Sequence, residues 1–98
     1  MAFSEDVVLR AWERQGGRCA GCGKELVWEN SDRGSRGAWE AHHKKAQSFG
    51  GSDFLRNCAI LCVNPPHRCH LNLGHNGDYH QNTILQDNHL PYLYAGRS

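Results

Sequence analysis

The chain has 98 residues, 39% of them hydrophobic, and its 11 basic and 10 acidic side chains leave a formal net charge of +1. That length bounds it to one small domain, expected over residues 1–98, with a lean core of the kind that often needs a metal or a disulfide as a staple. No apolar run approaches a membrane span, and the charged start MAFSEDVVLRAWERQ lacks the apolar stretch of a secretory leader, so a cytoplasmic, reducing setting is expected.

Along the chain, Ser4 suits a helix N-cap, with Glu5 and Asp6 in the first turn and Val7, Val8, Ala11 and Trp12 at helical spacing. Gly16-Gly17 ends that helix. CAGCG, from Cys19 to Gly23, reads as a tight knuckle, and Leu26, Val27 and Trp28 as a short strand. Residues 30–37 form a polar loop carrying Arg33 and Arg36. AWEAHH reads as a second short strand, on which the neighbours His42 and His43 point to opposite faces. SFGGSD is a glycine loop. CAILCV reads as a buried strand or a turn of helix, NPP breaks the chain, and HRCHLNL reads as a short helix ended by Gly74. The tail, 81–98, carries two apolar patches, Ile84-Leu85 and Leu90 to Tyr94, that would pack on the core or form a dimer contact. Trp12, Trp28 and Trp39 are expected in the core, and His67, His80 and His89 at the surface or behind the site.

Five cysteines in such a chain are better read as metal ligands than as disulfides. Cys19-x2-Cys22 has the bite of two thiolates on one tetrahedral ion. Cys62 and Cys69 form a wider second pair, whose intervening VNPPHR carries two prolines that fold the chain back. A closed, structural four-cysteine zinc site is therefore expected. Cys58 is the odd thiol, suited to a small buried hydrophobe or, less well, to the place of Cys62. His67 and His75 are lesser candidates for a mixed site.

Charge is uneven. Residues 31–70 carry six basic and three acidic side chains, a local +3 between flanks of −1. That bias fits a phosphate-bearing ligand, for which Arg33, Arg36, Lys44, Lys45 and Arg68 are the candidate contacts.

CAGCGKEL, AHHKKAQSFGGSDFLRN, NCAILC and CHLNLGH, in that order over about residues 12 to 80, resemble the HNH endonucleases. The resemblance implies an α+β fold with a ββα-metal (His-Me finger) core and one catalytic divalent ion, Mg²⁺, Mn²⁺, Ni²⁺ or Zn²⁺, beside the structural zinc. It implies DNA as substrate and hydrolysis of its phosphodiester bonds. His43 holds the position of the general base, His42 that of a metal ligand (an aspartate in many members), and His70 that of the second ligand. His75 is a candidate third ligand. Asn57 matches the asparagine that braces the loop and orients the base. VNPPHR departs from the family's two-residue gap, which bears on the helix after Cys69. Weak or nicking cleavage follows from the lack of a second domain for base readout, unless a homodimer or a larger partner supplies specificity. The competing expectation is a non-catalytic zinc-knuckle module that binds nucleic acid or protein.

Overall fold

The computed structural model describes residues 3–30, 35–65, 67–78 and 80–96. The principal elements are helix α1 (Glu5–Gln15), strands β1 (Trp39–His43) and β2 (Cys58–Cys62), and the short helix α2 (Cys69–Asn72), with single 3-10 turns at Gln47–Phe49, Leu55–Asn57 and Asp87–His89. The result is a small α+β fold in which a two-stranded antiparallel ribbon carries helices on its flanks. Among the described residues, no helix is long and apolar enough to cross a membrane.

The helix boundaries have local causes. The Ser4 hydroxyl accepts the Val7 N–H at 3.2 Å, and Glu5 and Asp6 face the positive end of the α1 dipole. Gly16 stops α1 in the left-handed conformation, at φ 64°, that a side chain would penalise. In the ribbon, Trp39 pairs with Cys62 and His43 with Cys58, so the histidine end of β1 lies beside the start of β2 and the tryptophan end beside its finish.

Every residue of β2 is buried. β1 covers one of its edges, and α1 closes the other with polar groups. Gln15, fully buried, receives the Ile60 N–H on Oε1 at 2.9 Å and returns Nε2 to the Ile60 carbonyl at 2.9 Å. One side-chain amide thus does for β2 what a third strand would do, leaving no open edge there. Arg14 is also buried and donates to the carbonyls of Leu93, Leu55 and Cys58, at 3.3, 3.1 and 2.5 Å. Apolar periodicity did not signal either residue, because both are polar positions on the helix.

The segment after α2 belongs to the core. Leu85, Leu90 and Leu93 are buried with Ile60 and Leu61, and full burial of a leucine contributes roughly 1.5–3 kcal/mol. The Tyr92 N–H bonds the Ala20 carbonyl at 3.0 Å, and Gly96 N–H bonds the Arg14 carbonyl at 2.9 Å.

Two expectations change. Leu26–Trp28 forms no strand: Arg18 and Glu25 make an isolated bridge, after which the chain is held by single bonds from Leu26 N to Gly17 O and Val27 N to Gly37 O. The six residues between the knuckle and the polar loop bond to the carbonyls of turns, Gly17 and Gly37, rather than to a neighbouring strand. The three tryptophans do cluster, with ring centroids 5.2–5.3 Å apart, but only Trp39 is buried, and Trp28 is 40% exposed.

Candidate metal centres and active site

The knuckle is built from both ends of the ribbon's flank. Gly23, at φ 76°, turns the chain so that its N–H meets the Cys19 carbonyl, while β2 ends on Cys62 and α2 begins on Cys69. One sulfur from each of Cys19, Cys22, Cys62 and Cys69 lies within 4.8 Å of the others. Hydrogen bonds from Cys19 and Cys69 hold the Cys62 thiol down at about 4, while Cys69, bonded to Cys19 and Cys62, is pushed the opposite way. Four sulfurs this close suit one tetrahedral ion, and four thiolates fit zinc. Cys58 stands apart from this group. It is fully buried, its thiol is pushed up to about 12 by burial against the opposing charge of Arg14, and it packs in the hydrophobic core. His67 belongs to neither ligand cluster.

The second cluster is made of imidazoles. His42 from β1, His70 from α2 and His75 from the turn after it each place a ring nitrogen within 4.8 Å of the others, with ring centroids 4.9–5.2 Å apart. His42 is 9% exposed, and its buried Nε2 has no hydrogen-bond partner. Burial, with His70, His75 and His43 adding to it, lowers its pKa to about 3, so the ring is neutral and its lone pair available. A buried, unpartnered imidazole nitrogen aimed at two more imidazoles fits a bound divalent ion.

The surroundings are shaped to this cluster. Gly74 lies where a Cβ would stand 2.9 Å from His42 Cε1 and 3.0 Å from His42 Nε2. The Thr83 hydroxyl fixes Gly74 by donating to its carbonyl at 2.6 Å. The Nδ1 of His75 lies 2.9 Å from the Gln81 carbonyl, which accepts its hydrogen and leaves the ring's lone pair on Nε2. Histidine 75, the candidate third ligand, is thus brought into the cluster by a carbonyl of the tail.

His43 points the other way. Its Nε2 is 2.7 Å from Asp53 Oδ1, and its ring stacks on Phe3 at a centroid distance of 4.0 Å. A carboxylate only accepts hydrogen bonds, so Nε2 carries the hydrogen and Nδ1 keeps the lone pair. Both histidines nevertheless border one open cleft of about 360 Å³, shared with His70, His75, Gln47, Ser48 and Asn82.

The hydrogen bonds of the Asn57 side chain go to the backbone of the glycine loop and not to a histidine ring. Its amide grips Lys45 on both backbone groups, at 2.8 and 3.0 Å, and donates to the Ser52 carbonyl at 2.8 Å. It therefore braces the loop that presents Asp53, and the direct partner of His43 is Asp53. The sequence reading took Asp53 as part of a glycine turn and missed it. Gln81, Thr83 and Asn82, which lie in the tail, were also missed, since no spacing rule ties that segment to the motif.

The basic candidates scatter. Arg33 lies outside the described residues. Arg36, Lys45 and Arg68 are exposed. Lys44 is 13% exposed, ion-paired with Asp87, and bonded to the Arg56 carbonyl at 3.3 Å, so its charge is offset within the chain.

A family model described as HNH endonuclease matches residues 19–76, a span that runs from the first knuckle cysteine past the third imidazole of the cluster. No curated protein matches the chain closely enough to count as a relative.

Proposed function

The chain belongs to the HNH endonuclease family, and from that premise we propose that it is a metal-dependent DNA endonuclease in which His43 is the general base. The single observation that carries this reading is the convergence of three imidazoles, one with a buried orphan nitrogen, in the cleft that His43 also borders.

In this reading His42, His70 and His75 hold one divalent ion, and residues 1–98 act as one nuclease domain in the cytoplasm. Bound there, the ion supplies Lewis-acid stabilisation of charge on the phosphoryl oxygen and the departing 3′ oxygen. His43 takes a proton from the water that attacks phosphorus, on the ring nitrogen turned away from Asp53. Asp53 holds the ring of His43 at the angle that exposes one lone pair. Asn57 ties down the loop from which Asp53 projects. Three nitrogen ligands and no carboxylate favour zinc, nickel, cobalt or manganese over calcium. Cleavage in this reading is nonspecific or nicking, since contacts to phosphates position a protein without reading bases, and binding falls steeply with salt.

Plasmid nicking across Mg²⁺, Mn²⁺, Ni²⁺ and Zn²⁺ tests the proposal. The parent nicks with at least one of these ions, and His43→Ala removes the activity while circular dichroism shows the same fold. Equal cutting by His43→Ala overturns the assignment of the base. The four-cysteine cluster also suits a zinc-knuckle module that binds without cutting. That reading gives one tightly held metal per chain and no nicking with any ion, against two metals for the nuclease.

A further inference from the structure

A second depression lies across the loop from the histidine cleft. It has a volume of about 370 Å³ and is lined by Lys44, Lys45, Gly50, Gly51, Ser52 and Arg56. We propose that Lys45, Arg56 and the Gly50–Ser52 turn form a second phosphate seat, which holds a backbone phosphate of the DNA strand beside the one that is cut. The inference rests on the nuclease reading and adds to it a contact outside the cleavage centre.

The charges decide what this seat takes. Lys44 is already paired with Asp87. Lys45 and Arg56 are both exposed and have no carboxylate partner among the described residues. The depression therefore presents two uncompensated cations and no acidic side chain. The two cations start from fixed positions, Lys45 at its backbone and Arg56 at its guanidinium as well. Lys45 is fixed at its backbone by the Asn57 amide and by pairing with Ile84. Arg56 sits on the 3-10 turn Leu55–Asn57, and its guanidinium is propped 5.2 Å over the Phe54 ring.

The floor between them is glycine. Gly50 adopts φ 85° and has nothing within 4 Å of where a Cβ would lie, so a ligand oxygen has room against the backbone. A Cβ on Gly51 would collide with the Lys45 carbonyl, so the turn folds this close only with glycine there. Two cations above open backbone suit a phosphodiester and not an apolar ligand. Position supplies the rest. Ala46, Gln47 and Ser48 line the histidine cleft, while Lys45 and Gly50 to Ser52 line this depression, so one loop is the wall between them. A strand crossing that loop lays phosphates on both sides of it.

The test measures binding separately from cutting. The 98-residue His43→Ala chain, supplied with its metals, is titrated into fluorescein-labelled duplex DNA from 50 to 300 mM salt, alone and with Lys45→Gln, Arg56→Gln or both. Each neutralisation weakens binding by roughly 3–10-fold and lowers the log–log salt slope by about 0.9. A double variant with the parent's affinity and slope overturns the seat. Nicking by the chain with His43 intact is scored in parallel. A parent that nicks nothing, with binding still lost in the double variant, overturns the nuclease reading and supports the seat. A parent that nicks, with binding unchanged in the double variant, overturns the seat alone.

Discussion

His43 and Asp53 are ten residues apart and meet at 2.7 Å across the glycine loop. The pair has the form in which a carboxylate fixes the tautomer and angle of a catalytic imidazole. Asp53→Asn keeps the size of the side chain but removes the charge and adds an amide donor, so the partner no longer dictates which nitrogen of His43 carries the hydrogen. The expected result is a kcat lower by roughly 10–100-fold, the usual cost of losing such an outer partner. KM changes little, and metal content stays at the parental value. Steady-state nicking with metal analysis of the same sample checks this, and an unchanged kcat would leave Asp53 with a purely structural part.

The pocket for the His42 ring depends on what Gly74 lacks. A methyl group there would stand 2.5 Å from the His70 carbonyl and 2.9 Å from His42 Cε1. Gly74→Ala is expected to displace His42 and to weaken binding of the catalytic ion by roughly tenfold or more, the scale of a disturbed ligand shell. Zinc in the cysteine cluster is expected to stay. Titration calorimetry with Zn²⁺ or Ni²⁺ on protein that retains one zinc gives the answer, and parental affinity refutes the packing argument.

Gln15 predicts a change in stability rather than in chemistry. Gln15→Leu keeps much of the bulk but leaves the Ile60 N–H buried without its partner. A buried donor left unmet costs about 1–3 kcal/mol, which in a domain of this size lowers Tm by roughly 5–20 °C. Nicking at 20 °C is expected to stay within about twofold of the parent. Thermal melts by circular dichroism, read beside activity at that temperature, separate the two effects.

The cysteines predict two kinds of thiol. Chelation strong enough to strip the knuckle is expected to unfold the chain, because metal binding and folding are linked in such sites. In the native, zinc-loaded protein at pH 8, iodoacetamide is expected to leave Cys58 unmodified, since burial holds that thiol up at about 12. Denaturant makes it react. Mass spectrometry of the alkylated peptides checks both statements, and rapid native labelling of Cys58 contradicts its place in the core.

The ribbon and the two side-chain clusters were legible in the sequence because short-range rules govern them. Strand alternation sends His42 and His43 apart, and CxxC spacing sets the first half of the knuckle. The VNPPHR stretch does return Cys69 to Cys62, and His70 still faces His42. Long-range polar contacts were not legible in the same way. Nothing in the spacing of Arg14, Gln15 or Asp53 shows that each will find a partner 79, 45 or 10 residues away. Leu26 to Trp28 misled for the opposite reason: β-propensity marks residues that fit a half-buried surface, and here a turn and an indole cluster supply that surface without a strand.

Cys69 and His70 are consecutive residues of α2, yet one faces the thiol cluster and the other the imidazoles. A single peptide bond therefore joins the two ligand sets. An ion filling the sulfur site would fix the start of α2 and with it the direction of the His70 ring, and so would lower the entropic cost of a second ion among the histidines. Linkage makes this mutual: an ion among the histidines must tighten zinc among the cysteines by the same factor. On this arrangement each ion would prepare the other's site, and loss of either would loosen both.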